Sequence, residues 1–199
     1  TERWGLFAEA YPNVVSKDIE LICYSLQQRM AAGDRGTYKE AFPLWFSARD
    51  MPQSCNQIFD VLITAGTLTD EDIWARLRLA LESGNVSAAK RINEYLPKSQ
   101  KLNERKLNSA TENPLRYLER HRREIKTRAD REIRLFAWVG LLRSGLDQAH
   151  AYWPRLRDRF GEAEQAYFLV QLADQAARRL DPRALQSFGE AASARKPFP

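Results

Sequence analysis

Histidine and cysteine are scarce here, two of each among 199 residues. Neither His121 nor His150 has a second plausible ligand three or four residues away on an apolar, pocket-like face, so no metal site is expected. Glycine-rich phosphate loops, a nucleophile elbow and cysteine–histidine motifs with metal spacing are all missing, which removes the usual sequence grounds for phosphate-cradling, acyl-transfer or zinc chemistry. No cofactor is expected, and no catalytic residue. No stretch approaches the ~18 apolar residues that a membrane-spanning helix needs. The residues after Thr1 lack a basic segment followed by an apolar one, so no signal peptide is expected within them; a mature secreted chain would read the same way. Alternating apolar and polar runs, the signature of strands, are nearly absent.

The chain has instead a 44% hydrophobic composition with 29% charged residues, enough to bury a substantial core. Its formal charge of +5 favours anionic partners: nucleic acid, an acidic polymer such as a cell-wall glycan, or simply solvent and counterions. Helical periodicity recurs almost without interruption, so the expected class is all-α.

Punctuation separates the helices. Ser16 is placed to cap a helix bearing Ile19, Ile22, Cys23, Leu26 and Met30, which stops at Gly33. A second helix is expected from about Thr37 to Ala48, with Pro43 kinking it or marking its true start. The segment after Pro52 carries Cys55, Ile58, Phe59 and Leu62 and ends at Gly66. Thr69 then caps a helix with Ile73, Trp74, Leu77 and Leu81, where Asp70, Glu71 and Asp72 read as first-turn charges complementing the helix dipole rather than as a catalytic acid and base. Gly84 and Asn85 turn the chain into a partner helix with Val86, Ala89, Ile92 and Leu96 inward, closed by Pro97. Asn113–Pro114 and Asp181–Pro182 each set a capping side chain before a proline suited to the first helical position. Later stripes are Ile133, Phe136, Ala137 and Leu141; Ala149, Trp153, Leu156 and Phe160; and Ala166, Val170, Ala173 and Ala177.

Roughly ten short helices joined by turns of about 2–6 residues must pack as antiparallel hairpins. Gly33, Gly84 and Gly145 each follow an apolar helix, but they stand 51 and 61 residues apart, whereas a tetratricopeptide array would hold ~34. The expected architecture is an irregular α-solenoid of stacked hairpins, a single superhelical segment over residues 1–199.

Cys23 and Cys55 both fall on apolar stripes, where two antiparallel helices could bring the sulfurs together or each could serve as a small buried hydrophobe with a free thiol. A bridge would place folding outside the reducing cytosol. Between Arg116 and Arg134, eight cations outnumber four acids. Arg116, Arg120, Arg122, Arg123 and Lys126 form a candidate polyanion-facing set, although the same residues suit the solvated face of a helix. Trp4, Trp45, Trp74, Trp138 and Trp153 lie mostly on stripes and read as core rather than as sugar- or base-stacking platforms.

One set of residues has the look of a known family. Cys23, Leu44–Trp45, Cys55 with Phe59, Gly66, Arg76 with Leu79–Ala80, Gly84–Asn85 and Leu96–Pro97 together resemble the soluble lytic murein transglycosylases. The likeness covers most of the chain, specific from Cys23 to Pro97 and more diffuse through the alanine-rich Asn113–Gly145 stretch. It implies the N-terminal superhelical domain of that family, with Cys23 and Cys55 bridged. In the family a separate lysozyme-like domain cleaves the MurNAc–GlcNAc bond non-hydrolytically to a 1,6-anhydro sugar. One glutamate, in a Glu-Ser motif followed by Gly-Leu-Met-Gln, serves as acid and then base. A Glu-Ser pair followed by Gly-Leu-Met-Gln does not occur here, so no catalytic residue carries over.

The resemblance thus implies a scaffold segment of a periplasmic cell-wall enzyme. Its expected partners are the parent's catalytic domain and, through the parent, peptidoglycan, with no specific nucleic acid. The competing expectation is a stand-alone basic α-solenoid that binds a protein or nucleic acid. Paired cysteines would separate the two, since a cytosolic scaffold has no reason to keep them oxidised.

Overall fold

Half of the α-helices among the described residues begin where a side chain accepts the orphan amide hydrogens of the first turn. In the computed structural model, which describes residues 2–11, 17–47, 50–121 and 125–193, the oxygens of Asp18, Thr69, Asn85, Asn103, Asn113 and Thr127 all do so. At Thr69 the cap is reciprocal, because the Asp72 carboxylate accepts from the Thr69 amide at 2.9 Å. Ser16 lies outside the described residues, and the helix expected to start from it is capped by Asp18 instead. All the regular structure among the described residues is helical: twelve α-helices and two short 3-10 turns, two more helices than the sequence suggests.

The chain divides into two compact units, residues 1–97 and 98–199. The first holds α1 (Glu2–Ala10), α2 (Ile19–Ala31), α3 (Thr37–Trp45), a 3-10 turn (Gln53–Cys55), α4 (Asn56–Thr64), α5 (Asp70–Glu82) and α6 (Val86–Asn93). Helices α2, α3 and α4 pack on one another, and α5 pairs with α6 as a hairpin. That hairpin turns at Gly84, whose φ of 79° is a left-handed conformation that would strain a side-chain-bearing residue, so the Asn85 amide can donate to the Ala80 carbonyl at 2.8 Å. Helix α3 stops at Trp45, earlier than the sequence pattern suggests. Pro43 sits in its last turn, where the missing amide hydrogen weakens continuation. The core of this unit gathers Cys23, Trp45, Cys55, Phe59, Leu62, Trp74 and Leu77, each at most 1% exposed.

The second unit comprises α7 (Glu104–Glu112), α8 (Pro114–Arg120), α9 (Arg128–Ser144), α10 (Leu146–Leu156), a 3-10 turn (Arg157–Arg159), α11 (Glu162–Arg178) and α12 (Arg183–Ala192). Helix α9 is its centre, packing on α7, α8, α10 and α11. Trp138 and Trp153 meet Phe168 edge to face with centroids 5.4 and 5.1 Å away, and Phe160 closes the cluster at 4.7 Å. Such aromatic pairs add roughly 0.5–1.5 kcal/mol each beyond the area they bury. The stripe on α11 differs from the expected one: Val170 is 44% exposed and Ala177 lies at the surface, while Tyr167, Phe168, Leu172 and Ala176 are buried. The aromatic cluster selects that rotation, because it takes in Phe168, a residue off the predicted line.

Candidate functional site

Among the described residues the basic stretch is divided between two helices. Helix α8 ends at Arg120 and α9 starts at Arg128, with the Thr127 hydroxyl accepting from the Asp130 amide at 3.1 Å. Arg116, Arg120 and Lys126 are exposed, whereas Arg122 and Arg123 lie outside the described residues. Others in the run are engaged elsewhere: Arg131 faces Glu164 at 3.3 Å, and Arg128 approaches Glu132 at 3.9 Å. Arg134 is only 5% exposed and donates to the His121 carbonyl, with its guanidinium carbon 6.0 Å from the Phe160 ring centre. A run that reads as a charged surface is therefore partly internal structure.

Cys23 and Cys55 form a disulfide with Cα atoms 5.0 Å apart, both sulfur-bearing residues fully buried. Cys55 occupies the last position of the 3-10 turn rather than the helix proper, so the bridge ties α2 to the entry of α4. Beside it the Gln27 side-chain amide donates to the Ser54 carbonyl, reinforcing the same junction.

The two histidines are far apart in role. His121 stacks on Tyr117 at 4.2 Å and its Nδ1 lies 2.9 Å from the Tyr117 carbonyl oxygen. His150, on α10, has a buried Nε2 with no hydrogen-bond partner, and burial pushes its pKa below the ordinary histidine value. Among the described residues no three His, Cys, Asp or Glu side chains are grouped so as to hold a metal, and no helix is long and apolar enough to cross a membrane. Of the tryptophans, Trp45, Trp74, Trp138 and Trp153 are all buried; the Trp4 side chain lies outside the described residues.

One concave site stands out in the first unit. A cavity of about 590 Å³ opens among the 3-10 turn, α4, α5 and α6, lined by Asp50, Gln53, Asn56, Arg76, Arg91 and Tyr95 together with apolar side chains including Met51 and Ile92. Arg76, on α5, is 5% exposed, and its guanidinium carbon lies 4.4 Å from the Trp45 ring centre and 4.8 Å from that of Phe59. Burial draws its pKa down to about 10, which leaves it charged at neutral pH. Its Nε has no hydrogen-bond partner. Arg91 and Asp50 form an ion pair at the rim, and the hydrogen bond from Arg91 holds the Asp50 carboxyl below its usual range. A clue to this site lay in the pattern of α5. Arg76 falls three residues after Ile73 and four before Ala80, on the buried stripe itself, where an arginine needs an explanation.

No protein-family model and no curated protein matches the chain. Solved structures do. An inactive mutant of lytic transglycosylase Slt from Pseudomonas aeruginosa superposes with a TM-score of 0.72 at 24% identity, covering 96% of this chain and 31% of that one. The 70 kDa soluble lytic transglycosylase Slt70 from Escherichia coli gives 0.62 at 18% identity, over 98% of this chain and 32% of that one. A complex of the 70-kDa soluble lytic transglycosylase with bulgecin A gives the same values. The chain shares the all-α fold of these structures along nearly its whole length and spans about a third of theirs.

Proposed function

We propose that the chain is a scaffold segment of a periplasmic lytic transglycosylase: superhelical, non-catalytic in itself, and associated with peptidoglycan through a parent enzyme whose lysozyme-like domain forms the 1,6-anhydro product. The observation that carries this reading is the fold likeness to the two Slt enzymes over 96% and 98% of the chain. One of the two carboxylates on the cavity wall fits this reading. Glycosidic cleavage needs a carboxylic acid still protonated near neutral pH, which calls for a raised pKa. Asp50 is shifted the opposite way by Arg91, so it is a poor proton donor to a leaving sugar oxygen.

On α12 the small Ser187 faces inward at 4% exposure, while Leu185 and Phe188 stand out at 82% and 43%. A further helix laid on that apolar face would bury both, at roughly 1.5–3 kcal/mol for each fully covered side chain. The disulfide fits an oxidising compartment.

Cold osmotic shock of the native host tests the location. Release of the protein in the shock fluid with Cys23 and Cys55 oxidised is the expected result. Retention in the cytosol with both thiols free would favour a stand-alone basic solenoid instead.

A further inference from the structure

We infer that the cavity beside Arg76 is a binding site for one carboxylate group, held by the Arg76 guanidinium. The inference does not depend on the transglycosylase reading. It starts from an unmet need: Arg76 is 95% removed from solvent, yet its Nε–H has no acceptor among the described residues. Leaving such a donor unpaired costs about 1–3 kcal/mol, more for a charged group, and buried donors almost always find a partner. The rings of Trp45 and Phe59, 4.4 and 4.8 Å from the guanidinium carbon, stabilise its charge and hold its position. An aromatic face does not replace an oxygen in the plane of the N–H groups, so the in-plane requirement persists.

Charge balance selects the class of ligand. Among the described residues the cavity wall carries two guanidiniums, Arg76 and Arg91, and two carboxylates, Asp50 and Glu94, with Arg91 paired to Asp50. No ion pair involves Arg76 among the described residues, which suits a ligand with a single negative charge. Phosphate, carrying up to two charges at neutral pH, would add more negative charge than a carboxylate beside Asp50 and Glu94, both on the wall. A carboxylate is planar and matches the guanidinium fork through two parallel hydrogen bonds. Tyr95, Gln53 and Asn56 line the same space, and their hydroxyl and amide groups are of the kind that can donate to or accept from the rest of a ligand. At about 590 Å³ the cavity is in the range of small-molecule sites and exceeds what a two-carbon acid would fill. The carboxylate can come from a free organic acid or from the terminus of a peptide.

The test follows the Arg76 Nε–Hε resonance by nuclear magnetic resonance, using the whole chain at neutral pH and constant ionic strength set with sodium chloride. Titration with N-acetylalanine should shift this signal saturably, while N-acetylalaninamide, which lacks the charge, should not. Acetate distinguishes the sources: equal affinity indicates free small acids, whereas tighter binding of N-acetylalanine indicates a chain terminus. Arg76→Lys should weaken binding about tenfold or more through loss of the bidentate contact, with far-UV circular dichroism verifying the fold. Because Arg76 is internal, Tyr95→Phe is a second, milder variant; it should weaken N-acetylalanine binding without altering the fold. The assignment is overturned if the resonance is unmoved by both carboxylates, if acid and amide shift it alike, or if inorganic phosphate binds more tightly than either acid.

Discussion

The Arg76 guanidinium carbon lies 4.4 Å from the centre of the Trp45 ring, a charged group laid on a fully buried tryptophan of the first unit's core. Trp45 is itself fixed by its indole N–H, which donates to the Asp72 carbonyl at 2.8 Å, and by an edge-to-face contact with Phe59 at 5.0 Å. The ring therefore joins α3, α4 and α5, and Arg76 depends on it more than it depends on Arg76.

That asymmetry predicts unequal mutational costs. Trp45→Ala should destabilise by about 3–5 kcal/mol, the range for emptying a buried aromatic position. Arg76→Met loses a cation–π contact worth about 2 kcal/mol but also removes an unsatisfied buried donor costing about 1–3 kcal/mol, so the net change should stay within about 1 kcal/mol. Urea unfolding of both variants measures the difference; a larger loss for Arg76→Met than for Trp45→Ala would contradict it.

The Cys23–Cys55 bridge closes a loop with a sequence separation of 32 residues. In the chain-entropy account this stabilises by about 3–4 kcal/mol, a large part of a domain's margin. Reduction, or the double Cys→Ala variant, should lower the urea midpoint accordingly. Thiol titration of the denatured, unreduced protein should find no free thiol, and two would remove the bridge from the account.

His150 predicts a pH effect with a definite sign. Burial is the main cause of its lowered pKa, and Arg183 adds to it against the opposing pull of Asp181, Asp147 and Glu190. The unfolded chain thus binds the proton first as pH falls. The contribution of the neutral ring is complete above the unfolded value of about 6.5 and is lost as pH falls through the lower folded value. Unfolding free energy measured between about pH 5 and about pH 8 should rise with pH, and His150→Gln should flatten that slope. An unchanged slope would show that other groups set it.

Much of the fold was legible because caps are local. Asn113 before Pro114 and Thr69 with Asp72 are short-range chemistry, and both cap as the residues suggest. What escaped the sequence depends on partners far along the chain. The α11 stripe turns toward Phe168 because Trp138 and Trp153 wait on other helices. Arg134 leaves the charged surface because the His121 carbonyl accepts from it. Arg76 was visible only as a charge on an apolar stripe; the rings and the cavity that give it meaning are tertiary.

The exposed cations Arg116, Arg120 and Lys126 should attract acidic polymers weakly at low salt. Screening beyond about 8 Å at about 0.15 M ionic strength should abolish most of that binding. Arg116→Glu with Arg120→Glu should reduce low-salt retention on DNA or sacculi without changing the circular dichroism. Submicromolar, sequence-dependent binding to a nucleic acid at physiological salt would contradict the scaffold reading.

The scaffold account is tested most directly by mass spectrometry of muropeptides released from murein sacculi, comparing residues 1–199 with the longer parent protein that the proposed function calls for. The account predicts 1,6-anhydromuropeptides from the longer protein and none from residues 1–199 alone. Anhydro products from residues 1–199 after repeated purification, or none from the longer protein, would contradict it.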